Sequence, residues 1–286
     1  MFFDPQCIPC ILKQAYNSAS LFTDSKEIQL EILKSVCARV AEIKPDSAAP
    51  WFSTVIQNLI EDRLKISDVY SEIKEKNLKI ALSFQPVIEE KISASEHPLI
   101  ESIKAAIAGN AIDYGANPDF NISKEVHKIG EINLDEPTLH NFLNSVKNAK
   151  TILYIGDNTE EAVFDIFLIK ALGPERVVFV VRSRPVLNDI TIKECKQLKI
   201  DELCEVVESG SRIAGTDISQ CNNQFLQVFN SADVVIAKGQ GNYETLLDVS
   251  RDIFFMFKVK CPAIALRCGQ PEGTAALIYK ADSKEK

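Results

Sequence analysis

Residues 151–172 read TILYIGDNTEEAVFDIFLIKAL. The run Thr151–Ile155 is β-branched or apolar, stops at Gly156, passes through a polar turn and continues as an amphipathic stretch to Leu172. Strand, glycine turn, helix is the repeating unit of a parallel sheet covered on both faces. The unit recurs downstream. Arg176–Val181 runs into Arg182-Ser183-Arg184-Pro185 and a helix near Thr191–Leu198, Glu205–Val207 precedes a Gly/Ser turn, and Asp233–Ala237 runs into Lys238-Gly239-Gln240-Gly241-Asn242. The last two strands are expected at 253–257 and 262–266. Upstream the spacing is helical. Asp24 and Glu27 resemble a capping box ahead of Ile28, Ile32, Leu33, Val36 and Val40. Further helices are expected around Val55–Leu64, Val69–Phe84 and Ile100–Tyr114, with mixed loop and short strand over 115–136. The reading is α/β: a three-layer α/β/α sandwich with a mostly parallel sheet over 146–286, and a mainly helical N-terminal domain over 1–145 placed to pack across the active site.

Composition narrows the chemistry. The 286 residues carry 32 Lys+Arg against 40 Asp+Glu, a net charge of −8. Nucleic acid and anionic membrane are therefore poor partners, because a phosphate backbone demands a clustered basic face. Three histidines are too few for the usual multi-histidine catalytic zinc centre, so any metal would rest on carboxylates, amides or cysteines. Eight cysteines in this length are no disulfide scaffold. No apolar run approaches a membrane span, and the start MFFDPQCIPC lacks a secretory pattern, so a cytoplasmic location is expected.

In open α/β sheets ligands bind beyond the carboxyl ends of the strands. Asp157 and Asn158 fall there, as does Asp189 after the second strand; each also suits a helix N-cap. Together, two carboxylates and an amide oxygen make a hard-oxygen set for Mg²⁺ or Mn²⁺. Lys238 with Gly239, Gln240, Gly241 and Asn242 suits close approach of a phosphate, though such a turn is also a common tight connection. Arg182, at a strand end, is a phosphate ligand or a structural ion pair. Asn110 and Asp113 share a helix face and either support the site, as does Asn188, or hold a buried helix end. Cys7 and Cys10 form the one Cys-x-x-Cys pair, either ordinary thiols or a second, metal or redox, site. Metal-assisted hydrolysis of a phosphate ester follows from the set as a whole. P-loop and dinucleotide fingerprints and the Gly-x-Ser-x-Gly elbow are absent.

The segments GDNTEEAVFD (156–165), RPVLNDIT (184–191) and AKGQGNYETL (237–246), with AGNAID (108–113), ESGS (208–211), Gly215-Thr216 and CIPC (7–10), resemble the DUF89 family of metal-dependent damage-control phosphatases, the ARMT1-like proteins, in its prokaryotic-type branch. The resemblance runs from residue 7 to about 266. It implies that Asp157, Asn158 and Asp189 hold a divalent metal (Mn, Co, Ni or Mg) and carry catalysis. It also implies that Glu161, Lys238–Asn242 and Lys258, with Lys260 as fallback, line the site of a small phosphorylated metabolite such as a sugar phosphate. The nucleophile is then water or an aspartate carboxylate. Two departures stand out. Thr159 and Glu160 replace small residues, and Ser183 and Arg184 replace glycines, so Glu160 and Arg184 are expected to pair or to reshape substrate selection. The alternatives are an S-adenosylmethionine-dependent methyltransferase on an acidic substrate, and a non-enzymatic zinc or redox interaction protein built on Cys7 and Cys10. Oligomeric state is not legible in the sequence.

Overall fold

Val177–Val181 and Val234–Lys238 are buried at every position, as strands covered on both sides must be. In the computed structural model, which describes residues 3–44, 47–110 and 129–282, they are β2 and β4. With β1 (Ile152–Ile155), β3 (Glu205–Glu208), β5 (Ile253–Lys258) and β6 (Ala275–Lys280) they form a sheet ordered β3-β2-β1-β4-β5-β6. Strands β1 to β5 are parallel and β6 is antiparallel to β5. The chain winds outward from β1 to β3, then crosses back to β4 and outward again. The strand order therefore reverses between β1 and β4, and a crevice opens at their carboxyl ends.

The helices are α1 (Cys7–Phe22), α2 (Lys26–Val40), α3 (Ala49–Leu64), α4 (Ser71–Ser83), α5 (Gln85–Ser93), α6 (Pro98–Gly109) and α7 (Glu136–Asn148) before the sheet. Within it come α8 (Ala162–Leu172), α9 (Ile192–Gln197), α10 (Ile200–Leu203), α11 (Asn223–Ser231), α12 (Gln240–Leu246) and α13 (Pro262–Cys268). Strand periodicity divides the core. Ile152, Tyr154, Phe179, Ile236, Phe254 and Met256 face α6, α7 and α8, whereas Leu153, Ile155, Val180, Val235, Phe255 and Phe257 face α11, α12 and α13. That is the expected three-layer sandwich. A separate apolar cluster, including Ile11, Ala15, Ile32, Val36, Phe52 and Ile56, holds α1 to α3 together. No helix among the described residues is long and apolar enough to cross a membrane.

Several local expectations change. Residues 262–266 are helix, because Pro262 sits in the first turn, where its missing N–H is no loss. The last strand is β6, which lies beyond the turn around Gly269 and Gly273. The cap of α2 is Ser25, whose hydroxyl accepts from the Ile28 N–H, rather than Asp24. The helix expected over 69–84 starts at Ser71 and is followed by α5, with Pro86 in its first turn. The helix expected over 100–114 runs Pro98–Gly109. Residues 111–128, including Asp113, lie outside the described residues, as does most of the expected 115–136 loop. Helix α7 starts on Asp135, whose carboxylate accepts the Thr138 N–H at 2.9 Å.

The helices before the sheet are tied to it by buried charge. Lys74 of α4 reaches Asp68 and Glu194 at 3.1 Å each, and Glu194 closes the capping box of α9 on Thr191. Removing one partner of a buried pair leaves the others uncompensated. Lys74→Met is expected to cost about 3 kcal/mol, read as a lower urea midpoint with an unchanged slope; a midpoint equal to wild type would show that the pair contributes nothing net.

Candidate active site

The chain leaves β1 at Gly156 and enters α8 only at Ala162. Asp157–Glu161 therefore form a loop at the β1/β4 crevice. The N-cap position of α8 is Glu161, without a side-chain cap bond, and that of α9 is Thr191. None of Asp157, Asn158 and Asp189 caps a helix, so that competing role falls away. Instead the two loops zip together: Ile190 N–H donates to the Asp157 carbonyl and Thr159 N–H to the Asn188 carbonyl, both at 2.8 Å. Asn158 and Asp189 form an isolated antiparallel bridge. Two segments about 30 residues apart in sequence thus place Asp157, Asn158 and Asp189 side by side, all buried.

The electrostatics are concentrated. Arg182 Nε donates to Asp189 Oδ2 at 2.6 Å, and its NH2 lies 3.7 Å from Asp157 Oδ1. Its remaining donors reach Thr216 Oγ1 at 3.1 Å and Asn242 Oδ1 at 3.2 Å. The Lys238 ammonium points its three N–H groups at Glu161, at Asp165 (2.7 Å) and at the Ala106 carbonyl (2.9 Å). Asn110, at the end of α6, donates to Asp157 Oδ2 (3.2 Å) and Glu161 Oε2 (2.9 Å), while its Oδ1 accepts the Lys258 N–H (3.0 Å). In this connected set four carboxylates, Asp157, Glu161, Asp165 and Asp189, face the Arg182 guanidinium and the Lys238 ammonium. Burial, then Asp189 and Glu161, push the Asp157 carboxyl well above its ordinary value, against the pull of Arg182 and Lys260. Burial lifts Asp165 to about 6 despite Lys238. Lys238 is lowered by burial but raised further by Asp165 and Glu161, so its net shift is upward.

Gly239 explains itself here. It has φ +79°, and a Cβ on it would lie 1.8 Å from Asp157 Oδ2. Only glycine lets the β4 turn approach the Asp157 carboxylate this closely. Gly241 likewise lies against the Ala214 carbonyl, which a Cβ would meet at 2.4 Å. Asn242 donates to the Gly156 carbonyl at 3.2 Å and the Lys238 carbonyl at 2.6 Å, joining the β1 and β4 turns. Gln240 sits outside that contact, accepting the Lys260 N–H and donating to Glu244. The charge of Lys260, the fallback of the two candidate lysines, reaches Asp157.

Glu160 and Arg184 do not pair with each other. Glu160 is fully buried and accepts from the side-chain amides of Asn77 on α4 and Asn188. Arg184 NH2 donates to Asn58 Oδ1 at 3.2 Å and the Arg212 carbonyl at 3.4 Å. The two point to different helices of the N-terminal layer. Cys7 is half-buried and Cys10 exposed, and all eight cysteines are free. The Cys7 thiol is pushed up to about 11 by burial and by Glu244 and Cys261 nearby. Among the described residues no group of three His, Cys, Asp or Glu side chains is arranged to hold a metal; the candidate set is two aspartates and an asparagine.

Asp165 and Thr216 lie in motifs that carry the family resemblance, but the sequence assigned neither a role. Asp165 follows Glu161 by one helical turn, which would have placed both on one face; the position of Thr216, in a loop after β3, beside Arg182 is a tertiary contact.

The donor set fits a hard divalent cation, since it is oxygen only, buried and includes two carboxylates. Because the raised Asp157 carboxyl holds its proton more tightly folded than unfolded, metal-free stability present below its ordinary value of 3.8 is lost as pH rises through the raised value. Asp157→Asn is expected to raise the metal-free melting temperature at pH 8 and to flatten this slope. It should also abolish the metal-induced gain, which for wild type is about 2.7 kcal/mol at a hundredfold excess over Kd. An Mn²⁺-induced shift in the variant equal to wild type would refute the assignment.

Comparison with known proteins bears on this geometry. The family model described as the damage-control phosphatase ARMT1-like domain matches residues 3–276. An uncharacterised protein of Methanocaldococcus jannaschii is 35% identical over 290 residues, covering 96% of this chain and 95% of its own. A damage-control phosphatase of Pyrococcus horikoshii is 30% identical over 275 residues, covering 94% of each chain. A crystal structure of a DUF89 family protein from P. horikoshii superposes with a TM-score of 0.86 at 27% identity, covering 98% of this chain and 99% of that one. With a shared fold, near full-length coverage and the motif loops in their expected places, the chain belongs to the damage-control phosphatase ARMT1-like family, the DUF89 proteins.

Proposed function

We propose that the chain is a divalent-metal-dependent phosphatase that hydrolyses the monoester of a small phosphorylated metabolite, such as a sugar phosphate or a damaged or side-product phosphometabolite. The observation that carries the reading is the buried Asp157–Asn158–Asp189 group, two carboxylates and an amide brought side by side at the β1/β4 crevice. Two relatives bearing the name damage-control phosphatase, aligned over 94% of this chain, support it.

Asp157, Asn158 and Asp189 would hold the ion. When bound, a divalent ion supplies Lewis-acid polarisation of a phosphoryl oxygen or acidification of water. The remaining work belongs to the chain. Arg182 donates to Asp189 and Asn242 and holds both in place. Asn110 orients Asp157 and Glu161 and turns the end of β5, hence Lys258, toward the same crevice. Lys238 pairs with Glu161, so its charge acts on the site through Glu161. Lys258 and the Gly239–Asn242 turn are the proposed phosphate-facing elements, with Lys260 adding positive potential near Asp157. Mn²⁺, Co²⁺ or Ni²⁺ in preference to Mg²⁺, and a cytoplasmic location, belong to the same proposal.

Asp189→Ala and Asn158→Ala are expected to lower metal-stimulated release of phosphate from an aryl phosphate by roughly a hundred- to thousandfold. The assay is run with Mn²⁺, Co²⁺, Ni²⁺ and Mg²⁺ in turn. Wild-type rates in both variants would refute the proposal.

A further inference from the structure

Arg184 stands apart from the other cations around the crevice. Arg182 and Lys238 are each bonded to carboxylates, whereas Arg184 touches only neutral acceptors, the Asn58 side chain and the Arg212 carbonyl. No salt bridge to it occurs among the described residues, and its Nε is buried without a hydrogen-bond partner. A guanidinium keeps its charge at any working pH and presents a planar fork of donors that matches a carboxylate or phosphate. A buried donor left unpaired is costly, so its retention asks for a ligand.

Its position says which ligand. Arg184 lies on the segment from Arg182 to Asp189, which leaves the carboxyl end of β2 and carries two residues of the charged site. One of its contacts is to α3, in the N-terminal layer. The other is to the loop after β3 that also supplies Thr216, the partner of both Arg182 and Asn242. The guanidinium thus bridges two walls that meet at the rim of the crevice. Arg212, beside it, is exposed and adds a second positive charge. Ser209, in the same loop, has a fully buried hydroxyl that likewise lacks a partner.

We propose that Arg184 binds a second anionic group on the substrate, a carboxylate or a second phosphate, at the end remote from the reacting phosphoryl group. The enzyme is then selective for phosphorylated metabolites that carry such a group. This rests on the phosphatase reading, with Asp157, Asn158 and Asp189 as the reacting end. Arg184 touches the substrate's far end and decides which phosphate esters are held.

The test compares wild type, Arg184→Gln and Arg184→Lys with Mn²⁺ on paired substrates, phosphorylated hydroxy acids and bisphosphates against monophosphates of neutral sugars. The readout is the ratio of kcat/KM between the two classes. In wild type the ratio favours the doubly anionic class. Arg184→Gln is expected to reduce it roughly ten- to a hundredfold, mainly through KM, as loss of one charge-assisted hydrogen bond would, and Arg184→Lys to restore part of it. If Arg184 were only a brace to α3, Arg184→Gln and Asn58→Ala would lower the melting temperature and leave the ratio unchanged, and an unchanged ratio overturns the assignment. Turnover of no phosphate ester by wild type with any of the four metals would overturn the phosphatase reading as well; turnover with an unchanged ratio overturns the role of Arg184 alone.

Discussion

Unbalanced negative charge in a dry place is the constraint around which this molecule is organised. Asp157, Glu161, Asp165 and Asp189 lie beyond the carboxyl ends of β1 and β2, with Arg182 and Lys238 as direct counter-ions. Burying a carboxylate without compensation is expensive, and the elevated Asp157 and Asp165 carboxyls record that cost. The fold bears it because backbone and amide groups hold the carboxylates in fixed positions. Gly239 permits the approach to Asp157, and Asn110 divides its amide between Asp157 and Glu161. The proposed divalent cation would offset that cost, joining stability and function in one group of residues.

The helices before the sheet act as a back plate for this arrangement. Gln57 of α3 donates to the Pro185 carbonyl and accepts the Leu187 N–H, Asn58 accepts from Arg184, and Asn77 donates to Glu160. Ala106 supplies a carbonyl to Lys238, and Asn110 sits on Asp157. These polar contacts land on the loops and strand ends that carry the proposed site residues. Loops anchored from both sides lose little entropy when a ligand arrives, which is what preorganisation requires.

Much of this was legible in the chain. The β-branched runs at 151–155, 176–181 and 233–237 gave the central strands, because buried parallel strands need such runs on both faces. The motif residues named the proposed donor set, because divalent-ion chemistry favours oxygen ligands, and the fold brings them side by side. Residues 262–266 were misleading: a short apolar run does not distinguish strand from helix, and Pro262 was the overlooked cue. Ser25 displaced Asp24 as a cap by one residue, a margin that pattern alone rarely resolves. Glu160 and Arg184 invited pairing by their opposite charges, yet each was drawn toward a different helix of the N-terminal layer.

Local chemistry by itself determined the α/β class, the strand-end loops and the oxygen-rich character of the site, since periodicity, glycine turns and ligand type are properties of short segments. Tertiary structure alone decided three things. It set the strand order that puts the β1 and β4 turns beside one crevice, and the zipped backbone that brings Asp189 against Asn158. It also turned Lys238 inward to Glu161 and Asp165 while leaving Arg184 without a carboxylate partner among the described residues. The reason is physical: which charge meets which depends on contacts between segments far apart in the chain, and the balance of burial against pairing exists only once those segments are packed.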